Sequence, residues 1–502
     1  MKNTLLLLLL VVTLSGRGLA QAKSDTIPKG EISTTSHTVK IDGKIIAYKA
    51  LAGTMQLRNS ENEPIALHGF TAYIREGTTD MKQRPITFVF NGGPGSSSIW
   101  LHMGVVGPRR AVVNDPGFTP AAPYTLEENG SSLIDVTDIV MMDPIGTGLS
   151  RAIGKSKNKD FWGVDQDIRA ISQFIKQFVT EYDRWNSPKY LLGESYGTFR
   201  NAGVVNYLQE NVGMAMNGVI MVSAVFDLRQ LVFAQGDDIS YVMNLPTYSA
   251  TAWYHNKVPN KPASLETYLN ESRLFAKTEY TQALMEGDQL SGAAREKALD
   301  RLSYFTGLSK AYLDKANLRV TEPEFTEELL RAEKKTVGRL DSRFTGINQD
   351  PLGQYSQYDP QSAAISPGYT ALFMDYYYNI LKVNKNFNYH VSAYSRPGFD
   401  WDWKHAKNGG GFPTPPNTGV DLAEAMSRNP YLKVLILNGL YDLATPFYGV
   451  EYSIDHMELE KDIKANIIMK YYEAGHMMYT HRPSLEQFKR ETAEFIVKTS
   501  KK

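Results

Sequence analysis

The stretch Tyr190-Leu191-Leu192-Gly193-Glu194-Ser195-Tyr196-Gly197 constrains this chain more than any other. A short apolar run leads into a serine flanked by glycines, and a helix-like segment follows. Small residues on both sides permit the tight strand-to-helix turn that lifts a serine hydroxyl above a sheet edge, with the positive end of the helix aimed at the reacting centre. The turn also requires partners elsewhere in the chain, because a serine hydroxyl is a weak nucleophile at neutral pH until a base takes its proton.

The surrounding pattern supplies a scaffold for such a turn. Apolar runs recur at Ile86–Phe90, Ile139–Met142, Tyr190–Leu192, Val219–Val222, Val434–Leu437 and Ile467–Met469. They are short and rich in β-branched residues, as in strands covered on both faces of a mostly parallel sheet. Helical periodicity lies between several of them: Asp165 to Tyr182 places Ile168, Ile171, Phe174, Ile175 and Phe178 on one face. Strands alternating with helices predict an α/β fold. Short β-like pieces fill His37 to Ile74, and residues 23–36 read as a polar linker. Between Leu228 and Asn429 amphipathic helices take over; Ala294, Ala298, Leu302 and Phe305 share a face before Gly307 ends the segment. We read 228–429 as an inserted, mainly helical cap that divides the core into 37–227 and 430–502.

Met1 to Ala22 combine an early lysine, the apolar run Leu5 to Val12 and small residues at Gly18, Ala20 and Ala22. This predicts a secretory signal peptide over 1–22, cleaved after Ala20 or Ala22. Its apolar core is too short to span a bilayer and no later run is long enough, so the expectation is a free periplasmic or secreted protein with no membrane span. The chain has no cysteine, which excludes disulfides, thiolate metal sites, a cysteine nucleophile and a lipid-modified N-terminal cysteine. Lys+Arg and Asp+Glu both total 54, so no net basic field favours nucleic acid.

The serine needs a base and an orienting acid, which in hydrolases of the α/β type follow in the order Ser, Asp or Glu, His. Asp442 follows the run Val434–Leu437, and His476 follows the last apolar strand in Ala474-Gly475-His476-Met477. Of the nearby histidines, His456 lies in a helical stretch before that strand and His481 beyond the Gly475 turn. His476 would take the Ser195 proton and return it to the leaving group, with Asp442 holding the imidazole tautomer. Asn91-Gly92-Gly93-Pro94-Gly95-Ser96-Ser97-Ser98 follows the strand Phe88-Val89-Phe90. Its glycines allow a backbone N–H to face a developing oxyanion, the second donor being the N–H of Tyr196. Neither this loop nor Asp143 to Gly148 has the lysine or the full glycine pattern of a phosphate cradle. His102 has no metal-ligand spacing around it, so we expect no metal and no cofactor. Tyr376-Tyr377-Tyr378 and Trp401-Asp402-Trp403 are expected in core packing rather than in a pocket.

Asn91–Ser98, Asp143–Ser150, Gly193–Gly197, Asn438–Pro446 and Gly475–Met477 together resemble the signature blocks of serine carboxypeptidases, in order and over Pro85 to Phe495. The resemblance implies an α/β-hydrolase fold with a helical insertion, the triad Ser195, Asp442 and His476, and oxyanion donors at Gly93 and Tyr196. It further implies that Asn91 and Glu194 hold the terminal carboxylate of a peptide, Glu194 donating a hydrogen bond only while protonated. Many members carry a second glutamate at the place of Val105, where it shares a proton with the first. With valine there, the acidic optimum and strict exopeptidase specificity do not carry over directly. The neighbouring Arg109-Arg110 could supply a cation instead, or be a solvated turn. Ser96 stands where eukaryotic members have a disulfide cysteine, which points to a bacterial branch.

The expected activity is release of C-terminal residues from peptides through an acyl-enzyme. Two alternatives stand beside it: an esterase or acyltransferase on the same scaffold, and an inactive peptide-binding homologue. The last predicts loss of a catalytic position, and none is lost here.

Overall fold

On the strand Lys433–Gly439 the side chains of Val434 and Ile436 enter one apolar layer while Leu435 and Leu437 enter the opposite one. Asp138–Asp143 does the same, with Ile139 and Met141 on one side and Val140 and Met142 on the other. Successive side chains of a strand point to opposite faces, so unbroken apolar runs arise where both faces are covered. The computed structural model describes residues 27–409 and 414–501, and within them every apolar run named above lies in a strand.

The strands of the main sheet are β1 (Ile32–Ile41), β2 (Lys44–Arg58), β3 (Pro64–Arg75), β4 (Ile86–Phe90), β5 (Asp138–Asp143), β6 (Lys189–Glu194), β7 (Gly218–Val222), β8 (Lys433–Gly439) and β9 (Ile467–Tyr472). Their spatial order is β1-β2-β3-β5-β4-β6-β7-β8-β9, with the two-residue strand Arg151–Ala152 added beside β3. The meander β1-β2-β3 and the β3–β5 pair are antiparallel, and every pair from β5 to β9 is parallel. The chain leaves β4 for β5 on one side and then crosses back to β6 on the other. The crevice at the carboxyl ends of β4 and β6 is therefore a topological switch point, where ligands of open α/β sheets bind.

Helices cover the sheet and fill the inserted segment; in chain order they include α1 (Val164–Glu181), α2 (Tyr196–Tyr207), α3 (Ile239–Tyr254), α4 (Pro360–Asp375), α5 (Gly419–Arg428) and α6 (Arg482–Thr499), of which α2 and α4 line the crevice. α1, α2 and α5 cover one face through residues such as Phe174, Phe199 and Met426. α4 and α6 cover the other through Ile365, Tyr369 and Phe488.

The stretch 228–429 is accordingly not uniform. Residues from Tyr241 to Val337 pack as a cluster of their own that closes onto Tyr441, Leu443 and Phe447. α4 and α5 instead complete the two layers of the sheet. An amphipathic helix carries the same periodicity whether its apolar stripe meets a cap or a sheet, so the pattern alone does not separate the two. The start of the sheet also differs from expectation: β1 begins at Ile32, inside the stretch read as linker. It is held by backbone pairing with β2, Ile32 opposite Gly53, and half its side chains face solvent. Residues 1–22 lie outside the described residues.

Candidate active site

Ser195 sits at φ +60° and ψ −131°, a conformation that residues with a side chain rarely adopt. Its own N–H anchors the turn on the carbonyl of Val222 at the end of β7 (3.0 Å). The flanking glycines have no positive φ; they are required by proximity. A Cβ on Gly193 would stand 2.3 Å from the Gly197 carbonyl oxygen, and one on Gly197 2.9 Å from the Phe90 oxygen. The strain thus rests on the serine, while the glycines let the turn pack tightly enough to hold it.

Asp442 and His476 lie at the ends of the adjacent strands β8 and β9. Asp442 is fully buried, and its Oδ2 meets His476 Nδ1 at 2.7 Å. The same oxygen accepts the Thr445 hydroxyl (2.7 Å), while Oδ1 accepts the N–H groups of Ala444 (2.9 Å) and Thr445 (3.0 Å). With Nδ1 committed to the carboxylate, Nε2 is the imidazole atom left for the cleft that His476 lines with Ser195. Burial alone would lower the His476 pKa, but Asp442 outweighs it and the ring is held above its ordinary value, with Glu194 adding to the effect.

The loop after β4 closes against the elbow. A Cβ on Gly92 would come 2.4 Å from the Tyr196 nitrogen and 2.6 Å from that of Gly197. The Asn91 carbonyl accepts from Arg200 (2.8 Å), which is buried in an ion pair with Asp167 (2.5 Å), and the Asn91 Oδ1 accepts the Leu101 N–H (3.0 Å). Asp143 takes the Ser98 N–H at 2.9 Å, so the block Asp143–Ser150 braces this loop rather than binding phosphate. Gly93, at φ +106°, and Tyr196, first residue of α2, border the cleft beside Ser195. The N–H of a first helical residue has no acceptor within its helix and is available to a ligand.

Glu194 is only 3% exposed, and burial pushes its carboxyl up to about 7. His476, the Tyr479 hydroxyl and the Asn91 amide act against that rise, and Asp442 adds to it. Tyr479 donates to Glu194 Oε2 at 2.7 Å.

Ser195, His476, Glu194, Asn91, Gly93 and Tyr196 all line one cavity of about 500 Å³, and Asp442 lies behind His476. Its walls are largely apolar, with Trp100, Leu228, Leu231, Ile365 and Trp403 among them. Trp403 is the member of the aromatic groups that reaches the cleft; Tyr376, Tyr377 and Trp401 are buried in the layers on the sheet. Arg109 and Arg110 do not line it. They pair with Glu128 (3.6 Å) and Glu127 (2.5 Å) across a small hairpin. Val105 is fully buried in an apolar layer. His102 bonds the Tyr73 hydroxyl (2.6 Å), His481 bonds Ser484 (2.9 Å) and His456 is exposed, and none of the three lines the cavity.

The sequence reading missed the strap Arg339–Ser342. The Leu340 carbonyl accepts the His476 N–H (2.6 Å) and Asp341 the Gly475 N–H (2.9 Å). The Arg339 carbonyl accepts the Leu443 N–H (3.1 Å), and Ser342 donates to Tyr441 (2.9 Å). Three of these contacts are between backbone groups and one is from a backbone N–H to the Asp341 carboxylate, all across a long sequence separation, for which residue types give no signal. Tyr479 was also missed, although it stands next to a block that had been recognised.

The strand order and the elbow after β6 define an α/β hydrolase. A sequence profile of the serine carboxypeptidase family matches residues 70–482, and the chain belongs to that family. It is thus a serine-type peptidase, a hydrolase. No curated protein is significantly similar to it in sequence. Among solved structures it is similar to the prohormone-processing carboxypeptidase Kex1 of Saccharomyces cerevisiae, at 15% identity and a TM-score of 0.54 over 90% of this chain and 91% of that one. A proline iminopeptidase of Mycobacterium smegmatis aligns at 13% identity and a TM-score of 0.34, covering 93% of this chain and 99% of the other.

Proposed function

We propose that Ser195, His476 and Asp442 are the catalytic triad of a carboxypeptidase that takes peptides with a free C-terminus. Ser195 Oγ attacks the last peptide carbonyl as His476 Nε2 accepts its proton. The oxyanion is held by the N–H groups of Gly93 and Tyr196. His476 then protonates the leaving nitrogen, the C–N bond breaks and an acyl-enzyme remains. Water enters, gives a proton to His476 and attacks the ester, and that proton returns to Ser195 as the shortened peptide leaves. Asn91 and Glu194 receive the terminal carboxylate, Glu194 as a protonated donor. The observation that carries this reading is a buried, readily protonated carboxyl one residue from the serine, in the same cleft as the His476–Asp442 couple. Ser195→Ala is expected to abolish hydrolysis of an N-blocked dipeptide with unchanged circular dichroism; turnover by the folded variant would overturn the assignment.

The chain is also proposed to act outside the cytoplasm, free of a membrane anchor. The apolar run from Leu5 supports export, the lack of cysteine leaves no site for a lipid-modified cysteine, and no helix among the described residues is long and apolar enough to cross a membrane.

A further inference from the structure

We propose that Tyr479 is a positioning residue of the carboxylate-recognition site, its hydroxyl holding one oxygen of Glu194 so that the other, with Asn91, meets the peptide's terminal carboxylate. The inference rests on the carboxypeptidase reading above. Tyr479 lies in the short turn Met478–Thr480, three residues after His476, and its side chain is fully buried. Its hydroxyl donates to Glu194 Oε2 at 2.7 Å, which leaves Oε1 outside that bond, and Glu194 lines the cleft. The Asn91 side chain lies beside both the Glu194 carboxyl and the Tyr479 hydroxyl.

The room for this phenol is built by another segment. A Cβ on Gly104 would fall 2.3 Å from Tyr479 Cε2 and 3.1 Å from the Tyr369 hydroxyl, so any larger residue there would displace the ring. Val105, next to Gly104, contributes only apolar surface to that layer. Tyr369, from α4, brings a second buried hydroxyl to the same place, and it has no hydrogen-bond partner among the described residues.

The titratable groups facing Glu194 are therefore His476 and Asp442 from the loops after β9 and β8, Tyr479, and Tyr369. Arg110 and Asp115 lie beyond Tyr369. Asp442 is committed to His476, so among the described residues no free carboxyl stands ready to share a proton with Glu194. Two carboxyls side by side titrate as a coupled pair, the one that keeps the shared proton having its pKa raised by the other's charge. A phenol buried here does not ionise in the working range, since burial and Glu194 hold its pKa well above the usual value. Glu194 then titrates as a single acid, and the phenol favours its ionised form by donating to it. Loss of the hydroxyl moves the titration upward.

The test is the pH dependence of KM for wild type, Tyr479→Phe and Glu194→Gln, on an N-blocked dipeptide with a free C-terminus and on its C-terminal amide or ester. Wild type is expected to show KM rising through neutrality for the free acid and flat for the amide or ester. Glu194→Gln should lose that limb. Tyr479→Phe should move it upward by about one pH unit, with kcat for the ester changed by less than about threefold. A limb that stays in place in folded Tyr479→Phe overturns the inference while leaving the carboxypeptidase reading intact. Should the phenylalanine variant fail to fold, replacement of Tyr479 by 3,5-difluorotyrosine keeps the shape and strengthens the donor. The limb must then move toward acid, and no movement overturns the proposal. Equal KM values for free and amidated substrates in wild type would instead overturn the reading on which it rests.

Discussion

Asp442→Asn probes the orientation of the imidazole, and the hydrogen bonds around the carboxylate decide which way the new amide points. Oδ1 accepts two backbone N–H groups, from Ala444 at 2.9 Å and Thr445 at 3.0 Å. An NH2 in that place would face two donors and lose both bonds, so the amide oxygen stays there. The NH2 then occupies the position of Oδ2, 2.7 Å from His476 Nδ1 and 2.7 Å from the Thr445 hydroxyl, which can turn to accept. Nδ1 becomes an acceptor, the ring proton moves to Nε2, and that nitrogen can no longer take the proton of Ser195. Reversal of the tautomer in a serine triad lowers kcat by about 10,000-fold, or about 5.5 kcal/mol of barrier. KM should change little, because no substrate contact is removed. The assay is steady-state hydrolysis of an N-blocked dipeptide, with circular dichroism and thermal melting as controls for folding. A folded variant that loses less than about 100-fold would refute the argument that Asp442 sets the tautomer.

Gly92→Ala places a methyl group 2.4 Å from the Tyr196 nitrogen and must push the oxyanion loop from the elbow. A displacement near 1 Å costs about 100-fold in kcat, which kinetics on the same substrate will show; near-wild-type turnover would contradict the close approach. For pH, Asp442 holds His476 above its ordinary value of 6.5, so kcat/KM should rise along a limb lying higher than that. Glu194 loses its proton as pH passes about 7, so peptides with free carboxylates should fall off above neutrality while ester substrates reach a plateau. Bell-shaped profiles for both substrates, or for neither, would contradict this assignment. His405 bridges Asp165 (2.6 Å) and Asp421 (2.7 Å), which overcome its burial and raise its pKa to about 9. A ring that gains its proton on folding stabilises fully below its unfolded value of 6.5 and ceases to do so as pH rises through about 9. His405→Gln should therefore cost up to about 3 kcal/mol in urea unfolding at pH 6, with the gap to wild type closing by pH 10.

The parallel strands, the elbow and the positions of Asp442 and His476 were legible because each leaves a local mark: an apolar run, a glycine-flanked serine, a turn after a strand. The cap boundary was not, since Leu302 and Met426 sit on helices of the same amphipathic kind, one in the cap cluster and the other on the sheet. The first half of β1, Ile32 to Ser36, was not legible because backbone pairing with β2, rather than an apolar face, holds it in the sheet. Leu340 and Asp341 bind the His476 loop, through a backbone carbonyl and a side chain, from a distant part of the chain, and no spacing of residue types announces that. Arg109 and Arg110 illustrate the converse. Their charge invited a role beside a carboxylate, but Glu127 and Glu128 stand opposite them in the hairpin and engage both.

The most direct test of the account is a mass-spectrometric time course on one peptide with a free C-terminus and the same peptide amidated, with wild-type enzyme and Ser195→Ala. The account predicts a ladder of products shortened stepwise from the C-terminus of the free peptide, much slower loss from the amide, and no products with Ser195→Ala. Internal cleavage, equal rates on free and amidated peptides, or a ladder produced by the folded alanine variant would contradict it.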